Sequence, residues 1–390
     1  MQTTAQLWLV YRLTGSAALL GVFGFANQIP MLVLASVGGW VGDRYSKHRG
    51  VIATQTVSMV LAFLLAGLTL TNVVKVWHLI AITFVVGIVN AFDVPIRQSF
   101  FVQMVGKEDL PNAIALNSSI FNGARVAGPA IAGFAIARIG EGWCFFLNGV
   151  SFLAVIFALM AMHIVPQERK ESGESPLESL LQGFQYAMND RPIRSTLLLL
   201  SMLSLLCFQY SVFMPIFAND ILHSGAQGLG LLMSAAGVGA VLGALQFAAR
   251  TSYKGLAKWI ATMSVICSTG LFVFSQSKIF WLSSLVLFIV GFAATSQMAA
   301  TNTTVQNRSP EHLRGRLMAV YATLFMGVQP LGSLLAGGIA KRIGAPNTLA
   351  VFGAICLLGS LAFAVWVALR VQPALGKQAE MASQRPTADS

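Results

Sequence analysis

Three charged side chains sit where a charge is costly. Asp93, Arg97 and Arg125 lie inside long apolar runs of a 390-residue chain that is 56% hydrophobic and only 10% charged. An ionised group at bilayer depth costs at least ~2.5–3.5 kcal/mol, so such residues usually face a protein interior or a watery cavity and handle ions or substrates. Asp93 is the one acid deep in an apolar run; the other acids fall in loops, tails or run ends. Asp93 and Arg97 are four residues apart and share a helix face, with Pro95 between them as a candidate kink. Two chemistries fit. Asp93 takes up and releases a proton, freeing Arg97 or Arg125 each time, or the three residues form a permanent ion network. A nearby guanidinium favours an ionised carboxylate, which speaks for the network. If one helix ends near Val105 and the next begins near Ala113, helical rise puts Asp93 and Arg125 each about 18 Å in. Consecutive antiparallel helices would then set them opposite each other.

Other chemistries find no footing in the spacing. Cys144, Cys207, Cys267 and Cys356 are scattered through apolar runs without a C-x-x-C pair, and the five His form no H-x-x-x-H pair. Neither a metal site nor a disulfide framework is expected, and the lack of a P-loop speaks against an intrinsic ATPase. A membrane-embedded enzyme would need clustered His, Asp or Glu at a span end, and no such cluster occurs. The net charge of +11 does not point to nucleic acid, because the basic residues sit in short clusters between apolar runs. That is how membrane proteins set their orientation.

A spanning helix needs about 20 apolar residues. Runs free of Asp, Glu, Lys and Arg cover 13–42, 50–74, 142–167, 195–219, 221–249, 259–277, 279–307, 317–340 and 343–369. Two more, 76–105 and 111–137, carry the internal charges, which makes eleven complete spans. Residues 1–11 read as the second half of a further span, so Met1 is expected to lie downstream of the true start. Counting that stub as span 1 gives an all-α membrane protein of twelve spans. Lys and Arg number 17 in one set of loops and the C-terminal tail, against 6 on the other face. The first face, with the C-terminus, is therefore expected to be cytoplasmic.

The segment between spans 6 and 7 is hydrophilic from Val165 to Arg194. Ser175-Pro176 with Glu178 marks a helix start. Leu177, Leu180, Leu181, Phe184 and Met188 then recur at helical spacing, which predicts an amphipathic helix on the membrane surface. The chain divides accordingly into a first half (1–164), a linker (165–194), a second half (195–370) and a polar tail (371–390). The halves echo one another. VQMVGKEDLPNAIALN, GPAIAG and ARIG in the first recur as VQNRSPEHLRGRLMAVY, QPLGSLLAGG and KRIG in the second, at an offset of roughly 203 residues. Weak internal symmetry of this kind belongs to transporters built from two repeats.

Gly39-Trp-Val-Gly-Asp43-Arg44-Tyr-Ser-Lys47-His-Arg49, between spans 2 and 3, resembles the loop signature of the major facilitator superfamily, departing from it at Ser46 and His48. Small Gly39 permits close helix approach, and Asp43 suits the positive end of a neighbouring helix. Asn90 to Gln98 in span 4, and Asn117 to Gly133 in span 5 with its Gly128-Pro129-x-x-x-Gly133, resemble the drug- and siderophore-exporting branch, enterobactin exporters included. The likeness runs from WLVYRLTGS at 8–16 to the last span. It implies the major facilitator fold of two six-helix halves, here with the first helix truncated. It also implies a latch at Gly39, Asp43, Arg44, Lys47 and Arg49, and an antiporter element at Gly128, Pro129 and Gly133. Export of small amphipathic or hydrophobic molecules by proton antiport would follow, from a monomer in the inner membrane without a cofactor. Partners would be the small-molecule cargo and the bilayer. Candidate cavity groups are Asn27, Gln28, Asn122, Gln209, Tyr210, Gln297 and Gln329, each more often a helix-to-helix hydrogen bond than a ligand contact. A nutrient permease of the same fold, or a scaffold that lost transport with its half helix, are the alternatives.

Overall fold

The computed structural model describes residues 1–44, 46–105, 109–162, 176–250, 252 and 255–383, and these are almost wholly helical. The first half holds α1 (Gln2–Thr14), α2 (Ala17–Arg44), α3 (Lys47–Leu70), α4 (Val76–Val105) and α5 (Leu110–Met160). A linker helix follows, α6 (Pro176–Asn189). The second half holds α7 (Arg191–Leu206), α8 (Tyr210–Ile216), α9 (Gly225–Ala248), α10 (Leu256–Gln276) and α11 (Phe280–Arg308). It continues through α12 (Arg314–Met326), α13 (Gln329–Ile343) and α14 (Ala345–Ser383). Among the described residues, ten helical stretches are long and apolar enough to cross a membrane. The longest, 112–160, is two helices joined at Gly140, which gives eleven candidate crossings among the described residues.

Gly140 explains how one helical stretch holds two spans. Its φ of 82° and ψ of 168° turn the chain back within a single residue. Gly344, between α13 and α14, has nearly the same angles, φ 84° and ψ 159°. These are the glycines of the repeated ARIG and KRIG. Only glycine occupies that backbone region without strain, so the internal repeat is carried by the chain's geometry as well as its letters. Gly140→Ala and Gly344→Ala are each expected to destabilise the protein by about 1–3 kcal/mol, read as a lowered unfolding midpoint of the purified protein.

The short α1 is no appendage. Thr4, Ala5, Gln6, Leu7, Leu9, Val10 and Tyr11 are all buried, and it packs against α2, α4, α5 and α8. Leu7, Leu9 and Val10 join the main hydrophobic core, which runs through both halves.

The predicted linker helix exists as α6, and its apolar face divides between two surroundings. Leu180, Tyr186 and Ala187 pack on a small core of Ile193, Leu197, Leu200, Val305, Leu317, Val320 and Tyr321 from the second half. Gly183 lies so close to α12 that a methyl group there would stand 2.6 Å from the Arg316 carbonyl oxygen. Leu181, Phe184 and Met188 point outward and are exposed. The side chain of Leu177, and residues 163–175, lie outside the described residues. The next helix starts cleanly because the Asp190 carboxylate accepts from the Ile193 amide at 2.8 Å, an N-cap that satisfies an otherwise orphan donor.

The two halves meet through a limited set of helices: α2 with α8 and α13, α5 with α9, and α1 with α8. The basic loops, with Arg44, Lys47, Arg49, Arg191, Arg194, Arg314 and Arg316, mark one end of the bundle, called here the basic end. The opposite one is the far end. Gly21, Gly133, Gly230 and Gly337 lie four to seven residues from it, so the contacts across the halves are tightest there.

Candidate transport site

Small residues let the backbones of the two halves touch. A methyl group at Gly133 would stand 2.5 Å from the Ala226 carbonyl oxygen and 2.8 Å from the Gly230 Cα. One at Gly230 would stand 2.5 Å from the Pro129 carbonyl oxygen. Further along this seam the Ser234 hydroxyl donates to the Val126 carbonyl at 2.7 Å. The second seam mirrors the first. A methyl group at Gly21 would stand 2.5 Å from the Ser333 carbonyl oxygen and 2.7 Å from the Gly337 Cα. Helices this close gain their attraction from van der Waals contact between backbones, which in a membrane outweighs hydrophobic driving force. The Gly128-Pro129-x-x-x-Gly133 element therefore forms one wall of the contact between the halves. Gly128 sits near the Met1 amine.

A polar cluster closes the same end. The Tyr11 hydroxyl of α1 donates to the Asp220 carboxylate and accepts from Asn219 Nδ2 at 2.9 Å. This joins the first half to the second. Beside it, Arg12 pairs with the buried Glu141 at 2.9 Å. None of these residues stood out in the sequence, because charges at span ends look like topology signals. The one available hint was that Asp220 and Glu141 sit at the end poor in Lys and Arg.

Toward the basic end, the last close approaches between the halves at described glycines are Gly237 to the Arg125 carbonyl and Gly327 to the Leu32 side chain, each about midway along the bundle. Among the described residues, α4 and α11, which carry the basic-end loops, share no extensive packing. The space between the halves on the basic-end side of these seams is the candidate opening. Helical rise puts the predicted polar groups at similar depths. Asn27 lies about 15 Å from the far end of α2, Tyr210 about 16 Å from Ile221, Gln329 about 21 Å from Ile343 and Arg125 about 22 Å from Gly140. Asn27, Gln28, Asn122, Tyr210 and Gln329 are partly exposed, and Arg125 is exposed. Asn122 satisfies itself locally, donating to the Ser118 carbonyl at 2.9 Å. Gln209 and Gln297 are not cavity groups. Gln209 is 2% exposed and accepts from the Ser333 hydroxyl at 2.9 Å, and Gln297 is 1% exposed and donates to Thr301 at 3.0 Å. They are the helix hydrogen bonds that buried amides usually become.

The expected opposition of Asp93 and Arg125 does not occur. Asp93 faces α3, where Thr54 donates to it at 2.7 Å and Gln55 at 3.0 Å. Arg97 pairs with its other oxygen at 3.2 Å. The residue is 4% exposed. Its partners lie about 10–12 Å from the start of α3, nearer the basic end than the cavity. The reason is architectural. α4 packs chiefly against α2 and α3, while the first pass of α5 packs against α9 and α1, so neighbours in sequence are not neighbours in space. Arg125 instead lies within electrostatic reach of Tyr210 across the opening. Among the described residues it has no ion pair and no hydrogen bond. In the loop signature, the side chains of Gly39 and Asp43 lie outside the described residues; Lys47 opens α3, and Arg44 and Arg49 are exposed. No metal-binding cluster occurs among the described residues.

A family model described as a transmembrane secretion effector matches residues 1–389. The staphyloferrin A transporter of Staphylococcus aureus is 25% identical over 361 residues, which cover 90% of this chain and 88% of that protein. The multidrug efflux pump Tap of Mycolicibacterium fortuitum is 25% identical, covering 91% and 89%. The enterobactin exporter EntS of Escherichia coli is 26% identical, covering 94% and 85%. Among solved structures, the nucleoside transporter NupG superposes with a TM-score of 0.72 at 13% identity, covering 93% of each chain. The inward-open xylose transporter XylE superposes with 0.65 at 14% identity, covering 93% and 92%. At these identities the two structures speak for the fold alone.

Proposed function

The chain belongs to the transmembrane secretion effector family, within the major facilitator fold, and on that footing we propose that it exports small amphipathic or hydrophobic molecules by proton antiport. It is a multi-pass membrane transporter and not an enzyme. The observation that carries the proposal is the pair of glycine seams. They close the far end while the opening between the halves faces the basic end. With the basic end in the cytoplasm, as the charge bias favours, this is the state that loads cargo from inside. Separating the seams and closing the basic end would deliver it outside, as alternating access requires. Two of the relatives, a multidrug efflux pump and an enterobactin exporter, move their cargo outward, which supports the same direction here.

Asp93 is the proton carrier in this reading. Protonation removes the charge that holds Arg97, and Arg97 is free to move because its side chain is 59% exposed. The link between α3 and α4 then loosens at the basic end. A second reading is favoured by the completeness of the Asp93 contacts to Thr54, Gln55 and Arg97: a permanent strut.

Everted vesicles energised with a proton gradient separate the two readings, with lipophilic dyes and catecholate siderophores as cargo. Asp93→Asn is expected to cut gradient-driven uptake at least about tenfold, within the range by which losing a proton-transfer group slows a reaction. Exchange of cargo without a gradient should persist. A strut would lose both activities or neither, and uptake of no compound in the native protein would count against export.

A further inference from the structure

We infer that the cargo cavity is built for an anion, and that Arg125 is its binding charge. The inference rests on the reading of the central opening as the cargo site. Arg125 shares a helix face with Gly128 and Ala132, three and seven residues on. Ala132 is fully buried and Gly128 lies beside Met1 of α1, so this face looks into the protein and not toward lipid. Arg125 is nevertheless exposed and lies within electrostatic reach of Tyr210 of the second half, which assigns it to the opening between the halves. Its backbone packs on the second half, where the Arg125 carbonyl oxygen lies 3.0 Å from where a methyl group on Gly237 would stand.

The charge balance is one-sided. Among the described residues Arg125 has no ion pair, and Asp93, the acid deep in the spans, is buried elsewhere and held by Arg97. Asp220 and Glu141 belong to the far-end cluster. The polar side chains predicted for the cavity at the depth of Arg125 are neutral, the Tyr210 hydroxyl and the amides of Asn27, Gln28 and Gln329, and the Met1 amine lies beside Gly128. A guanidinium without an acidic partner in a low-dielectric opening attracts an anion and repels a cation far more strongly than it would in water. Its planar fork suits a carboxylate or a pair of phenolate oxygens. The apolar residues of the surrounding helices suit the rest of an amphipathic molecule. The cargo class that fits is therefore an amphipathic organic anion, in preference to the lipophilic cations that serve as common efflux dyes.

Two dyes of one ring system and opposite charge provide the test: carboxyfluorescein and a cationic rhodamine ester. Binding to the detergent-purified full chain is followed by fluorescence anisotropy, separately from any flux measurement. The native protein is expected to bind carboxyfluorescein at least tenfold more tightly than the rhodamine. Arg125→Gln should weaken the anion roughly 10- to 100-fold, the span of a lost hydrogen bond to a charged group. Arg125→Glu should reverse the preference. Arg138→Gln removes a charge from the same helical stretch at its far end, where Arg138 stacks on Phe134 at 4.9 Å, and should change nothing. Equal binding of the two dyes, binding of neither, or an Arg125→Gln protein that binds the anion normally would overturn the inference. So would full displacement of the dye by phosphatidylglycerol, which would assign Arg125 to a lipid headgroup. Charge-selective binding without gradient-driven flux would leave the inference standing and count against proton-driven export.

Discussion

Gly133→Leu is expected to abolish transport, by at least a hundredfold, in a protein that still inserts and folds. The added side chain begins with a Cβ 2.5 Å from one backbone oxygen and 2.8 Å from a backbone carbon of α9. Backbone atoms of a helix cannot swing aside as a side chain can, so α5 and α9 must separate. Overpacking of this kind costs about 1–3 kcal/mol where a core cannot relax. In the proposed transport cycle it can relax, because the halves part at this seam in the alternate state. The cost falls on the closed-outside state alone and shifts the balance between states. A cysteine placed at Val212, which is 6% exposed beside Gly24, reports the change. It should resist a membrane-impermeant maleimide added from the far end in the native protein and react in Gly133→Leu. Background labelling stays low because the four native cysteines are buried. Retained transport with Val212→Cys still protected would mean that the seam is not where the protein closes.

Asp220→Asn should act in the same direction with smaller force. The Tyr11–Asp220 hydrogen bond joins the two halves and is charge-assisted. Such bonds contribute about 1.5–3 kcal/mol. Losing one shifts the closed-to-open ratio at the far end by roughly 10- to 100-fold. Tyr11→Phe should match it, and the double variant should be no worse than either single one, since both remove the same contact. Additive effects would show that the two residues serve different partners. The same cysteine at Val212 measures all three variants.

The spans were legible because membrane crossing leaves a crude signature, length and lack of charge, that needs no partner to be read. The linker helix was legible for a similar reason, since Leu180, Phe184 and Met188 fall at helical spacing. That same periodicity failed to say which of those side chains would meet the second half and which would face outward. Gly140 and Gly344 were visible as repeated letters, while their shared role in reversing the chain depends on backbone angles. The error over Asp93 and Arg125 came from treating sequence order as packing order. Depth along a helix is set by counting residues; the neighbour a helix faces is set by the whole bundle. Tyr11, Asn219 and Asp220 were missed because they come from distant segments, and each alone is an ordinary residue at a span end.

The docking of α6 on the second half changes what joins the two bodies. With Gly183 against α12 and Ala187 in the core beside α7, that helix travels with the second half. The stretch left between the bodies is residues 161–175, whose contour can reach about 50 Å. That is longer than the bilayer core is thick. A connection of that length does not by itself fix the spacing of the halves. In the proposed cycle the preference for one state over the other then resides in the contacts at either end. Splitting the chain within 161–175 and expressing the two pieces together ought to leave those contacts, and the switching they control, intact.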